Sequence, residues 1–152
     1  MSKLDRFVIV YYEDQKVESL RKSKDFVANR LPKFLGYFER VLKGKASGDG
    51  PWLYGGKLTY ADLVLFQMER ERKPLQNEVT DLNPKCLDGT KFMFRKATQS
   101  AEKSGKYARV FELYDAVKTR PKIKAYLASD KRQEYSLGLY RYYPELDVED
   151  DV

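Results

Sequence analysis

Trp52-Leu53-Tyr54-Gly55-Gly56-Lys57-Leu58-Thr59-Tyr60-Ala61-Asp62-Leu63 is the stretch on which the reading of this 152-residue chain turns. A glycine-rich stop is followed by a Thr-x-x-acid pattern just ahead of the apolar run Leu63, Val64, Leu65, Phe66. In such a capping box the Thr59 hydroxyl can accept from the backbone amide three residues on. The Asp62 carboxylate reaches back to the Thr59 amide, and Leu58 can staple onto Leu63. A helix is therefore expected to start here. Upstream, Gly44, Gly48, Gly50, Pro51, Gly55 and Gly56 mark Lys43 to Gly56 as a long loop. A phosphate-cradling loop would need Gly-Lys-Ser/Thr or Gly-x-Gly-x-x-Gly between a strand and a helix, and here Lys57 is followed by Leu58.

Further out, Glu13 to Leu42 carries helical periodicity with one proline, as expected of two amphipathic helices. In the second, Leu31, Phe34, Leu35, Phe38 and Leu42 form an apolar stripe with Lys33, Glu39, Arg40 and Lys43 mostly off it. Lys106 to Lys118 puts Tyr107, Val110, Phe111, Tyr114 and Val117 on one face, and Arg120-Pro121 opens a short helix with Ile123, Tyr126 and Leu127. Phe7 to Tyr12, Phe-Val-Ile-Val-Tyr-Tyr, suits a strand on propensity. A lone strand has no partner, so it reads as helix, and the fold class is all-α.

Histidine is absent and Cys86 is the single cysteine. Ser-His-Asp triads, Cys-His dyads, His-ligated metals and internal disulfides are thereby excluded, and no metal site or catalytic residue is expected. Cys86, set in an apolar helical pattern, reads as a small buried hydrophobe rather than a thiolate. One unpaired cysteine, no leader pattern and no apolar run near the ~20 residues a bilayer needs lead to the expectation of a cytoplasmic protein with no membrane contact. The formal charge is +6, but five of the 23 acids lie in 144–152, so residues 1–143 carry 29 bases against 18 acids. The chain divides into a helical domain, 1–143, and an acidic tail, 144–152. The bases are spread at helical spacing, which describes a solvated surface better than a nucleic-acid interface.

These residues resemble the C-terminal helical domain of glutathione S-transferases. Leu31-Pro32 with Leu35 and Phe38-Glu39, the block from Trp52 to Leu63, and Arg120-Pro121-Lys122-Ile123-Lys124-Ala125-Tyr126-Leu127 carry the likeness over nearly the whole chain. The middle block is in the style of Mu, Sigma and Alpha-type enzymes. The ending Tyr140-Arg141-Tyr142-Tyr143-Pro144-Glu145-Leu146-Asp147 is similar to microbial and fungal members. The resemblance implies a helical bundle whose complete relatives conjugate glutathione, their co-substrate, to electrophilic small molecules. It also implies a thioredoxin-like N-terminal domain of about 80 residues, an ordinary small-domain size, which holds glutathione and the catalytic residue. These 152 residues contain no such domain, and Gln99-Ser100, after Thr98 and in a helical pattern, is no substitute for its glutathione-holding residues.

Met68 to Lys85, with Pro74 and Pro84, reads as an 18-residue insertion into what the family makes a continuous helix. Excising it joins Gln67 to Cys86 and brings Asp88 eleven positions after Thr59. Its length is whole codons, as a retained intron or gene-model error would have, and a genuine surface loop is the other reading. By the resemblance, the electrophile pocket draws its wall from the first helix and the tail, giving Tyr11, Tyr12, Tyr140 and Tyr142 as candidates, with Tyr143 beside them; the alternative is core packing or a subunit contact for Tyr11 and Tyr12 and tail packing against the helices for the others. Thr59 and Asp62 are folding residues. The chain alone is expected to lack transferase activity and to bind no cofactor. The alternative is a non-catalytic protein-protein interaction module, acting as a homodimer or with a partner protein on the face left by the missing domain, where the first helix would expose apolar surface.

Overall fold

Pro32 divides the first amphipathic run, because proline lacks the N–H a continuing helix would bond and its ring crowds the carbonyl four residues back. The computed structural model describes residues 12–66, 87–132 and 142–148. In it, α1 (Tyr12–Asp25) widens into a π turn over Phe26–Arg30, where the Leu31 amide bonds the Phe26 carbonyl five residues back. α2 (Leu31–Lys43) then starts with Pro32 in its first turn, where a missing N–H costs nothing. The later helices are α3 (Tyr60–Phe66), α4 (Leu87–Met93), α5 (Arg95–Lys103), α6 (Ala108–Lys118) and α7 (Pro121–Leu127). Short 3₁₀ turns occupy Lys45–Ser47 and Pro144–Leu146. Among the described residues there is no strand, and the all-α expectation holds. Most of Phe7 to Tyr12, Cys86 and the segment Met68 to Lys85 lie outside the described residues.

The core is built around α6, whose Val110, Leu113 and Val117 are completely buried. α2 and α3 pack along it and α7 closes its far end. Leu31, Leu35 and Leu42 come in from α2, Leu65 and Phe66 from α3, and Leu87 from α4. Phe26 of the π turn stacks on Phe94 with ring centroids 4.8 Å apart, which fastens the α1–α2 junction to the start of α5.

One expectation is corrected. Glu39 lies on the buried side of α2, 5% exposed, because it follows Leu35 by four residues and precedes Leu42 by three. Within the apolar run of α3, Leu65 and Phe66 go inward, whereas Leu63 and Val64 are 38% and 44% exposed. The long loop folds back on itself, with Gly55 and Gly56 amides bonding the carbonyls of Ala46 and Ser47. Gly48, at φ +73°, sits so close to this return that a Cβ there would lie 2.8 Å from the Gly56 nitrogen.

α3 ends and α4 begins against one residue of α6. The Phe66 and Tyr114 rings lie 5.0 Å apart, and the Tyr114 hydroxyl donates to Asp88 Oδ1 at 2.7 Å. Burial, and then the Asp88 carboxylate, push the Tyr114 phenol well above its ordinary value. The fold thus favours the neutral phenol, so this contribution is whole below the usual tyrosine value near 10 and is lost as pH rises past it. Tyr114→Phe is expected to cost about 1 kcal/mol at neutral pH through the lost hydrogen bond and to flatten the alkaline decline in stability. Urea midpoints at about pH 8 and about pH 11 check this; a variant declining as steeply as the parent would exonerate the phenol.

Candidate functional site

Asp62, fully buried, ties the loop to α3. Its Oδ1 accepts from the Leu53 amide at 2.8 Å, while Oδ2 accepts from the Thr59 amide at 2.6 Å and from the Thr59 hydroxyl at 2.8 Å. The carboxylate reaches back as a capping box requires, and the hydroxyl donates to it instead of facing only the amide three residues on. Together Thr59 and Asp62 fix residues 53–59 against the first turn of α3. Both are placed for folding, and neither lines a groove described below.

The candidates for a ligand wall are placed unevenly. Tyr12 is the first residue of α1, and Tyr11 and Tyr140 lie outside the described residues. Tyr142 is half-buried at the start of the final segment, with the Arg95 guanidinium 4.1 Å from its ring centroid and the Phe92 ring 6.1 Å away. Its hydroxyl donates to Asp147 Oδ2 at 3.3 Å. Asp147 is not a solvated tail acid. It is 4% exposed, and its Oδ1 accepts from the Lys96 amide in the first turn of α5 at 3.1 Å.

Two open grooves flank this region. One, of about 310 Å³, is bordered by Asp88, Lys91, Phe92, Arg95, Thr98 and Gln99. The other, of about 300 Å³, runs between α2 and α5 past Val27, Leu31, Leu35, Ala97 and Tyr107. Lys91 is paired with Glu102 at 2.8 Å and lies 4.7 Å from the Tyr114 ring centroid, so its charge is already engaged. These walls can contact an aromatic or apolar molecule. Asp88, the carboxylate bordering the first groove, accepts from the Tyr114 hydroxyl and lies 3.6 Å from Arg132, and burial favours the neutral form of that phenol. Among the described residues no cluster could hold a metal ion and no helix is long and apolar enough to cross a membrane.

Spacing did not single out two structural carboxylates. Glu39 Oε2 accepts from the Val110 amide at 3.1 Å, serving as the N-terminal cap of α6, whose own flanking residue Tyr107 provides no side-chain cap. Asp147 does the same for α5, where Phe94 provides none. The position of Glu39 on the Leu35–Leu42 face was a signal for the first. For Asp147, 51 residues from its partner, there was none.

A family model described as "Glutathione S-transferase, C-terminal domain" matches residues 5–88 and 79–130, two segments that overlap between α3 and the first turn of α4. The chain is 26% identical over 117 residues to "Glutathione S-transferase P 1" of Bufo bufo, a match that takes in 77% of this chain. It spans 44% of the length of that relative.

Proposed function

Since the chain belongs to the glutathione S-transferase family through its C-terminal helical domain, we propose that it supplies the electrophile-facing wall of a glutathione-conjugating site and that these 152 residues alone do not catalyse the conjugation. The observation that carries this reading is the family match from residue 5 to 130, which takes in every helix from α1 to α7. Conjugation requires an activated thiol, a site for the tripeptide and an apolar wall that brings the electrophile to it. The grooves beside α4 and α5 are suited only to the last of these. Tyr11, Tyr12, Tyr140 and Tyr142 remain the proposed wall residues, acting on electrophilic small molecules in the cytoplasm, where such conjugation detoxifies.

The expected result with the purified chain, glutathione and a chloronitrobenzene electrophile is a rate no higher than that without protein. Turnover that saturates in glutathione would overturn the reading. A second reading, a non-catalytic assembly module, is favoured by one observation: α3 turns Tyr60, Leu63 and Val64 to solvent, with Tyr60 82% exposed. This exposed apolar surface is on α3, and Val17 is exposed on the described part of the first helix. Sedimentation of the chain and of its Tyr60→Glu variant tests the second reading, which expects a homodimer that this substitution dissociates.

A further inference from the structure

From Gln15 to Asp25 only Ser23 is buried, and Val17, an apolar residue in this stretch, is 87% exposed. A helix that is polar nearly all round gains little from packing and must be anchored in some other way. The ion pair of Arg21 with Glu18, at 2.8 Å, lies within α1 and fixes no position relative to the rest. Among the described residues, the elements that pack substantially on α1 are the π turn that continues it and the Pro144–Leu146 turn. The contact is specific, for the Ser23 hydroxyl donates to the Leu146 carbonyl.

The same segment is fastened at its other side to α5. Asp147 caps the Lys96 amide, Tyr142 lies under Arg95 and donates to Asp147, and Val148 packs on the core. We propose that residues 142–148 are a strap that sets the pose of α1 against α5, and that displacing the strap frees α1 while the α2–α6 core stays folded. Residue 147 is the buckle: its Oδ1 holds the α5 end, its Oδ2 braces Tyr142 within the strap, and the neighbouring carbonyl of Leu146 holds Ser23. Because Tyr12 stands at the start of α1, whatever moves the strap also moves the first helix of the proposed wall. This inference does not depend on that wall being a binding site.

Hydrogen exchange on the 152-residue chain tests it, with the parent compared with Asp147→Ala and with a chain ending at Arg141. Amides of α1 and of Lys96 should exchange about tenfold faster in both variants, the effect of losing one helix cap, while those of α2 and α6 keep their protection. Ser23→Ala should loosen α1 and leave Lys96 protected, and Asp147→Asn, which keeps an acceptor, should restore most of the protection at Lys96. Unchanged α1 exchange in the shortened chain would overturn the proposal. So would an equal loss of protection in α2 and α6, because the segment would then be part of the core. If the shortened chain does not fold, Ser23→Ala decides the matter alone.

Discussion

Asp62→Ala is expected to lower the melting temperature by about 10 °C. The carboxylate is fully buried and serves three donors, two of them backbone amides. Alanine leaves the Leu53 and Thr59 amides without an acceptor, and each buried orphan costs about 1–3 kcal/mol. The combined loss of about 3–4 kcal/mol corresponds to that shift, at 2–4 °C per kcal/mol for a chain of this size. Asp62→Asn keeps one acceptor oxygen and turns an amide toward a donor, so about half the loss should remain. Thr59→Ala removes only the hydroxyl and should cost about 1 kcal/mol. Calorimetry of the three variants tests the order, and an Asp62→Ala protein melting with the parent would refute the role assigned here.

Glu39→Ala is expected to cost about 2–3 kcal/mol, nearly as much, at a residue whose charge would ordinarily put it on the surface. The Val110 amide, in the first turn of α6, bonds both the Tyr107 carbonyl and Glu39 Oε2 at 3.1 Å, so the loss expected is that of a charge-assisted hydrogen bond at a helix start. The Glu39 side chain is also aligned with the positive end of the α6 dipole. Lys43 lies 2.9 Å from Glu39 Oε1 but is 62% exposed and out of hydrogen-bonding alignment. Lys43→Met should therefore change stability by less than about 0.5 kcal/mol. Glu39→Gln, which keeps a neutral acceptor, should fall between the two. Urea denaturation of the set checks the ranking. Equal losses for Glu39→Ala and Lys43→Met would mean that the ion pair, and not the cap, is what the residue contributes.

What could be read from the sequence was local. The Thr59–Asp62 box spans four residues, the α6 face repeats at three and four, and the loop glycines stand where the chain doubles back; each is a pattern within one or two turns. The breadth of a buried face was harder to read. Spacing alone excluded Glu39 from the α2 stripe because it is charged, and gave no division within the α3 run Leu63 to Phe66. The neighbours decided both, since α6 lies over Glu39, and Leu65 and Phe66 turn inward while Leu63 stays 38% exposed. Asp147 looked like one acid in an acidic run, and only the fold brings it to α5. The candidate wall was legible as a resemblance rather than as chemistry, because a ligand wall of aromatic side chains has the same composition as a core. Of its residues, Tyr142 turns out to be engaged by Arg95 and Asp147.

The three capped helices differ in when their caps can arrive. α3 has its carboxylate three residues from the amide it serves, whereas α6 and α5 wait for acids 71 and 51 residues away. Such separations add little to the final free energy, since doubling a closed loop costs only about 0.6 kcal/mol, but contacts of that range form late. Isolated helices of nine and eleven residues are marginal in water, so α5 and α6 cannot persist until the chain has closed around them. The order of events is thereby written into the positions of three acids: the loop and α3 organise first, α2 brings Glu39 to α6 next, and α5 gains its last hydrogen bond when Asp147 arrives.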